Sequence, residues 1–191
     1  MKDKSLETKS CILNATLELV AENGFHGTSI SQIADKSGVN VGSMYYHFAN
    51  KDDILKALYI DCKHRITQYV FNNIPEDMPP EESLKRMMWN IVRYFSENKA
   101  EYSFIEQFEK SPYLAEVTSN TEYLEMMDSY MKIYEIPKQQ GLVKDMPIGV
   151  TQSLITGAII ALTKYFLSGK EALEEPILTD AINAIWDMVK K

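Results

Sequence analysis

The densest run of chemistry-bearing side chains in this 191-residue chain is Ser43-Met44-Tyr45-Tyr46-His47, followed closely by Lys51. Hydroxyls, an imidazole and an ammonium are groups that donate hydrogen bonds to phosphate oxygens. Gly42, one residue earlier, costs about 1 kcal/mol against alanine inside a helix. In return it lets another backbone or a base edge approach closely. A helix built only to pack would carry leucine and lysine here, so the run reads as a helix that meets DNA. Catalysis is not expected. The three histidines, His26, His47 and His64, all precede residue 65. No serine or cysteine has a sequence-evident base, and no glycine loop could cradle a phosphate. Cys11 and Cys62 are too few for a disulfide framework and, each lying in a helical pattern, are expected to be reduced core thiols. Cys62 and His64, two residues apart, fall on different faces of a helix, so neither a metal site nor any cofactor is expected.

Two short helices joined by a tight turn must position that run. Thr28 suits an N-cap, and Ile30, Ile33 and Ala34 then recur at three and four, which predicts a short amphipathic helix. Gly38 ends it, because glycine adopts a left-handed backbone cheaply, and Val39 can pack between the two helices. Asn40 caps the second helix. Asn50, with Asp53 three residues on, starts a third, whose first turn holds Lys51 where the helix dipole disfavours a cation. A nearby phosphate would compensate that lysine.

The order Gly24-Phe25, Thr28-Ser29-Ile30, Ile33-Ala34, Ser37-Gly38-Val39, Gly42, Tyr45, His47-Phe48 and residues 51–55 resembles the signature of the TetR family of bacterial transcriptional repressors. The match covers roughly the first third of the chain, and turn, cap and aromatic positions agree in register. The resemblance implies a homodimer on double-stranded operator DNA. It implies that Val41, Ser43 and Tyr46 meet bases, and that Thr28, Ser29, Tyr45, His47 and Lys51 sit at phosphate-contact positions, with Gly42 between them. Val41 replaces a frequent lysine or arginine, which trades a bidentate guanine contact for an apolar one, such as to a thymine methyl.

Charge and length are consistent with a small head on a larger body. The first 65 residues carry eight basic and eight acidic side chains, so the net charge of −7 resides in the rest. A strongly basic nucleic-acid footprint is absent, which leaves a specific contact made by few charges, hydroxyls and helix ends. The charged start at residues 1–4 is no secretory signal, and the longest apolar stretch, near Leu154 to Leu162, is shorter than a bilayer requires. A cytoplasmic protein with no membrane partner is expected.

The fold expected is all-α, with about nine helices: a three-helix head over residues 1–50 and a ligand-binding and dimerisation body over residues 51–191. Helix 1 should span about Leu6 to Asn23, stopped by Gly24, with Phe25 folded back on its last turn. The next long helix, after Asn50, links head to body. In the body, large apolar residues exceed one face per helix, and the family resemblance implies an effector pocket, for which Trp89, Tyr94, Tyr102, Phe108, Met127 and Tyr130 are plausible lining. The carboxylates Glu101, Glu106, Glu109, Glu122, Glu125 and Asp128 read first as a solvated face, with a cation-binding pocket as the alternative. Ser153, Gly157 and Ala161 recur at four and permit close helix contact. With Ile182, Ile185 and Trp186 they match the family's dimer bundle. An apolar or amphipathic effector is the expected ligand. A body that binds another protein instead, or a helical enzyme or small-molecule-binding protein of another class, are the competing readings.

Overall fold

The computed structural model describes residues 2–191, with side chains from Ser5 onward, so the charged start at residues 1–4 lies outside the described side chains. It is all-helical. The ten helices among the described residues are α1 (Lys2–Gly27), α2 (Ile30–Ser37), α3 (Val41–His47), α4 (Lys51–Phe71), α5 (Pro80–Glu97), α6 (Lys99–Glu109), α7 (Leu114–Val117), α8 (Thr121–Gln139), α9 (Ile148–Leu167) and α10 (Glu175–Val189). The four-residue α7 carries no periodic signal of its own, which is why about nine helices were expected.

The chain divides into two compact units that do not follow chain order. The first comprises residues 1–64 and 100–123, the second residues 65–99 and 124–191. Thus α4 contributes its first 14 residues to one unit and Arg65–Phe71 to the other.

In the first unit, α1 packs against α2 and α2 against α3. Gly24 has φ +71 and ψ 175, a kink between the long part of α1 and the single turn that follows. Phe25 does not fold back on that helix as a terminal cap. Its ring stands 5.6 Å from Phe104 and 6.3 Å from Phe108 of α6. Ion pairs tie α6 and α7 to α4, Lys63 with Glu109 at 3.2 Å and Lys56 with Glu116 at 2.9 Å, and a hydrogen bond between His64 Nε2 and Glu122 at 2.7 Å ties the start of α8 to it. Tyr113 adds a hydrogen bond to Asp52 at 2.9 Å. The first unit therefore holds α6 and α7 beside helices α1 to α3. Cys62 is buried as expected, whereas Cys11 is exposed, because its place on α1 falls outside the buried stripe of Ile12, Ala15, Leu19 and Val20.

The second unit is built on α5, α9 and α10, which pack on one another. Its core gathers Leu84, Met88, Val92, Ile155, Ile159 and Trp186, among others. Helix α9 buries the stripe Thr151, Ile155, Ile159, Thr163 and Phe166. It is also, by length and composition, apolar enough to cross a bilayer. The expectation of a stretch too short for that counted only the uninterrupted apolar run and overlooked the Thr, Ser and Gly that such a helix tolerates. Its inward stripe is that of a helix packed into a protein core.

Candidate nucleic-acid interface

The geometry of α2 and α3 follows from local capping. Ser29, not Thr28, is the N-cap of α2: its hydroxyl accepts from the Gln32 N–H, while Gln32 Oε1 accepts from the Ser29 N–H at 2.8 Å. This is a capping box with glutamine as the returning partner. Thr28 is 2 % exposed, and its hydroxyl donates to the Gly24 carbonyl at 2.9 Å. Burial removes it from the phosphate contacts expected of it. Gly38, at φ +68 and ψ 13, closes α2 in the left-handed region where glycine carries no penalty. Asn40 caps α3 as expected, its Oδ1 accepting from the Ser43 N–H at 2.8 Å.

Helix α3 has two faces. Met44 and, just past its end, Phe48 point inward, 1 % and 7 % exposed. On the other side Val41, Tyr45 and Tyr46 are exposed, Tyr46 to 84 %, and Gly42 is exposed with them. Residues four apart are neighbours on a helix, so Val41 lies beside Tyr45 and Gly42 beside Tyr46. The glycine leaves a gap beside an aromatic ring. A Cβ placed on Gly42 would meet only Asn40 Oδ1, at 3.4 Å, so nothing inside the chain requires glycine there. Ser43 and His47 are half-buried at the edges, and the His47 ring meets that of Tyr46 edge-on at 5.3 Å. An exposed, capped, aromatic helix face presenting two phenol hydroxyls suits a DNA groove far better than a protein core.

Lys51 differs from expectation. Its ammonium donates to the carbonyls of Phe25 at 2.9 Å and Thr28 at 3.0 Å and is half-buried. The unfavourable first-turn position on α4 is thus offset within the chain. Sequence inspection missed this because backbone carbonyls 23 and 26 residues away carry no residue signature.

Residues 12–58 match the family described as bacterial regulatory proteins, tetR family, and residues 59–191 match the tetracyclin repressor-like C-terminal domain. The chain belongs to the TetR family. The "Fatty acid metabolism regulator protein" of Bacillus subtilis is 34% identical over 86 residues, which span 44% of this chain and 42% of that relative. A TetR family protein from Vibrio parahaemolyticus has the same fold, with 26% identity, a TM-score of 0.82, and 95% of this chain and 98% of that one covered. So does the regulator FadR from Bacillus subtilis, solved in complex with stearoyl-CoA, at 20% identity and a TM-score of 0.73 over 94% and 96% of the two chains.

The residues expected to line a TetR-family effector pocket are dispersed. Tyr102 and Phe108 belong to the first unit, where Phe108 is fully buried. Tyr94 is core in the second unit, its ring 5.1 Å from Tyr69. Tyr130 is half-buried, 4.8 Å from the Phe71 ring and 3.5 Å from the Thr67 hydroxyl, and Met127 is half-buried on the same helix. Trp89 lines a groove of about 690 Å³ with Tyr69, Met78, Lys85, Arg86 and Arg93. The carboxylates form no cluster. Glu106 pairs with Lys110 at 2.9 Å, Asp128 with Lys132 at 2.6 Å, Glu109 with Lys63 and Glu122 with His64, while Glu101 is buried and Glu125 exposed.

The residues matched to the dimer bundle also divide. Ser153, Gly157 and Ala161 are exposed along α9, beside exposed Val150, Leu154 and Ile160. Ile182, Ile185 and Trp186 face the protomer's own core, at most 9 % exposed. Their expected interface role is therefore corrected: helical periodicity identifies a buried stripe, and here α5 and α9 do the burying.

Proposed function

We propose that this TetR-family chain is a homodimeric repressor that reads an operator with the exposed face of α3 and releases it when an amphipathic effector binds the second unit. The observation that carries the reading is that face: Val41, Gly42, Tyr45 and Tyr46 lie side by side, exposed on a helix whose opposite side is core. Such a face supplies apolar contact to thymine methyls and hydroxyl donors to base edges or phosphates. Ser29, Ser43 and His47 border it. A regulator of this kind is not an enzyme and acts in the cytoplasm, where its DNA is.

Dimerisation uses α9. Val150, Leu154, Ile160 and Tyr165 are 39–45 % exposed, with small residues between them that let a second helix approach. A second copy of the chain is the occupant that two-fold-symmetric operator reading requires.

For the effector, the 690 Å³ groove has the volume of a small-molecule site. It offers the Trp89 and Tyr69 rings and Met78 for an apolar segment. Lys85, Arg86 and Arg93 line it with Glu82 and Glu175, and an anionic end would compete there with Glu81, which holds Lys85 at 2.6 Å, and Glu97, which holds Arg93 at 3.0 Å. Long-chain acyl-CoA, the ligand class in the Bacillus subtilis FadR structure, has that form. Tyr69 lies on α4, the helix whose first turns belong to the DNA-reading unit, so occupancy biases that helix.

Selection of sites from random duplex DNA by the full-length protein tests the reading. It should enrich a pseudo-palindrome with half-site centres about 34 Å apart or a multiple of that. Acyl-CoA should weaken the selected complex through a coupling of about 1–3 kcal/mol, and the operator should weaken acyl-CoA binding by the same factor. Enrichment of no sequence at all would overturn it.

A further inference from the structure

Among the described residues around the groove that Trp89 lines, only Asn90 and Ile182 are buried, and they are its floor. Asn90 is 3 % exposed. A side-chain amide at that depth costs free energy unless its nitrogen and its oxygen both find partners. The nitrogen has one: Nδ2 donates to the Val70 carbonyl at 2.8 Å. Val70 stands in the last turn of α4, and the Ile74 N–H that would have continued the helix onto it turns to Phe71 at 3.0 Å, so Asn90 caps an end carbonyl. An acceptor on that side fixes the amide, with nitrogen toward Val70 and oxygen away from it. The oxygen has no such partner. Oδ1 accepts from no group among the described residues, and it is not sealed from solvent, so it opens on the groove.

Most of the cations there are engaged. Lys85 holds Glu81 at 2.6 Å, and Arg93 holds Glu97 at 3.0 Å and Glu175 at 3.5 Å. Arg86 and Asn183 line the same groove, exposed, without a partner among the described residues, and keep their N–H groups for a ligand oxygen.

We infer that the groove is a site for a secondary amide carried on an apolar segment, and that Asn90 selects it. Oδ1 accepts the ligand N–H, Arg86 or Asn183 donates to the ligand carbonyl, and the Trp89 and Tyr69 rings cover the apolar part. The inference rests on the reading of this groove as the effector site and names the group recognised there. A ligand without the donor displaces water from Oδ1 and returns no hydrogen bond, which is how a site rejects an analogue that lacks one N–H. Acyl-CoA carries secondary amides in its pantetheine arm, so for that class the groove reads the arm and not the phosphates. Asn90 meets the ligand with its oxygen and α4 with its nitrogen, which makes one side chain common to both.

The probes are N-hexylacetamide and N-hexyl-N-methylacetamide, which differ by the replacement of N–H with N–CH3, titrated to millimolar concentration into the free full-length protein and read by chemical-shift changes. Wild type should bind the secondary amide about tenfold more tightly or better, and Asn90→Leu should bring the two probes to within about twofold. A residue that only caps α4 would lower stability when replaced and leave the probes undistinguished in the wild type. Equal binding of the two by wild type, binding of neither, or a preference that survives Asn90→Leu would overturn the inference. Where Asn90→Leu does not fold, the side-chain carbonyl carbon of Asn90 in the wild type decides. Its signal should move with the secondary amide and hold still with the tertiary one; the same response to both would refute the inference. These measurements use neither DNA nor acyl-CoA. Failure of acyl-CoA to release DNA counts against the effector reading, and failure to discriminate the probes counts against this inference, so the two are distinguishable.

Discussion

The Tyr59 ring lies over the Phe108 ring, centroids 4.2 Å apart and planes 14° from parallel. Both are completely buried, and Tyr59 also donates a hydrogen bond to Glu109 at 3.2 Å, so α4 and α6 meet through a stack with a polar edge. Aromatic pairs of this kind contribute about 0.5–1.5 kcal/mol beyond area burial, and truncating a buried phenylalanine opens a cavity as well. Phe108→Ala should lower unfolding stability by about 3–5 kcal/mol, read from urea denaturation. A loss below about 1 kcal/mol would mean that α6 is not part of the first unit's core.

Tyr46 is the most exposed of the aromatic residues on α3, so Tyr46→Ala should leave the melting temperature unchanged. It should weaken a selected DNA site by about 1–3 kcal/mol while binding to random duplex stays nearly intact. Equal losses on both DNAs would assign the phenol to phosphate. Residues 1–65 carry as many acidic as basic side chains, so the salt dependence should be shallow for a dimeric DNA-binding protein.

A Cβ added to Gly157 meets nothing within 4 Å in the single chain. Gly157→Leu is therefore harmless to the protomer. Against a second copy it overpacks the contact, and sedimentation should show dimer stability reduced by about 1–3 kcal/mol with unchanged helicity. An undisturbed dimer at low concentration would place the interface elsewhere.

Burial holds the Tyr130 phenol up to about 12, against an ordinary 10.0, although the Thr67 hydroxyl pulls the other way. Burial also raises Tyr134. In the unfolded chain these phenols release their protons first, so between the two values the folded form holds more protons. For Tyr130 that stabilisation is complete below pH 10 and is lost as pH rises through about 12. Urea midpoints should fall between pH 10 and 12, and Tyr130→Phe should flatten the decline.

What the sequence disclosed was local. Gly38 and Asn40 act through their own backbone or three residues on, and both are where propensity places them. Thr28 and Ser29 are adjacent and both suit a cap. Only the fold, which buries Thr28 and leaves Ser29 beside Gln32, chooses between them. The family and the all-helical architecture were legible because turn, cap and aromatic residues recur in fixed register. The partner of each stripe was not. Trp186 reads as an apolar position at helical spacing whether it meets α5 of its own chain or a second copy. Nor was the grouping of α6 and α7 with the first unit, which depends on pairs such as Lys56 and Glu116, 60 residues apart.

Gly42 places no demand on the fold and receives none from it. Replacing it with alanine would add about 1 kcal/mol of helix propensity without a clash. Position 42 is thus a site where stability and recognition are uncoupled: a lineage could sample side chains there, and with them new operators, without passing through poorly folded intermediates. Libraries randomised at residue 42 should yield folded proteins at nearly every substitution except proline, so that survivors of a DNA-binding selection report the demands of the groove alone.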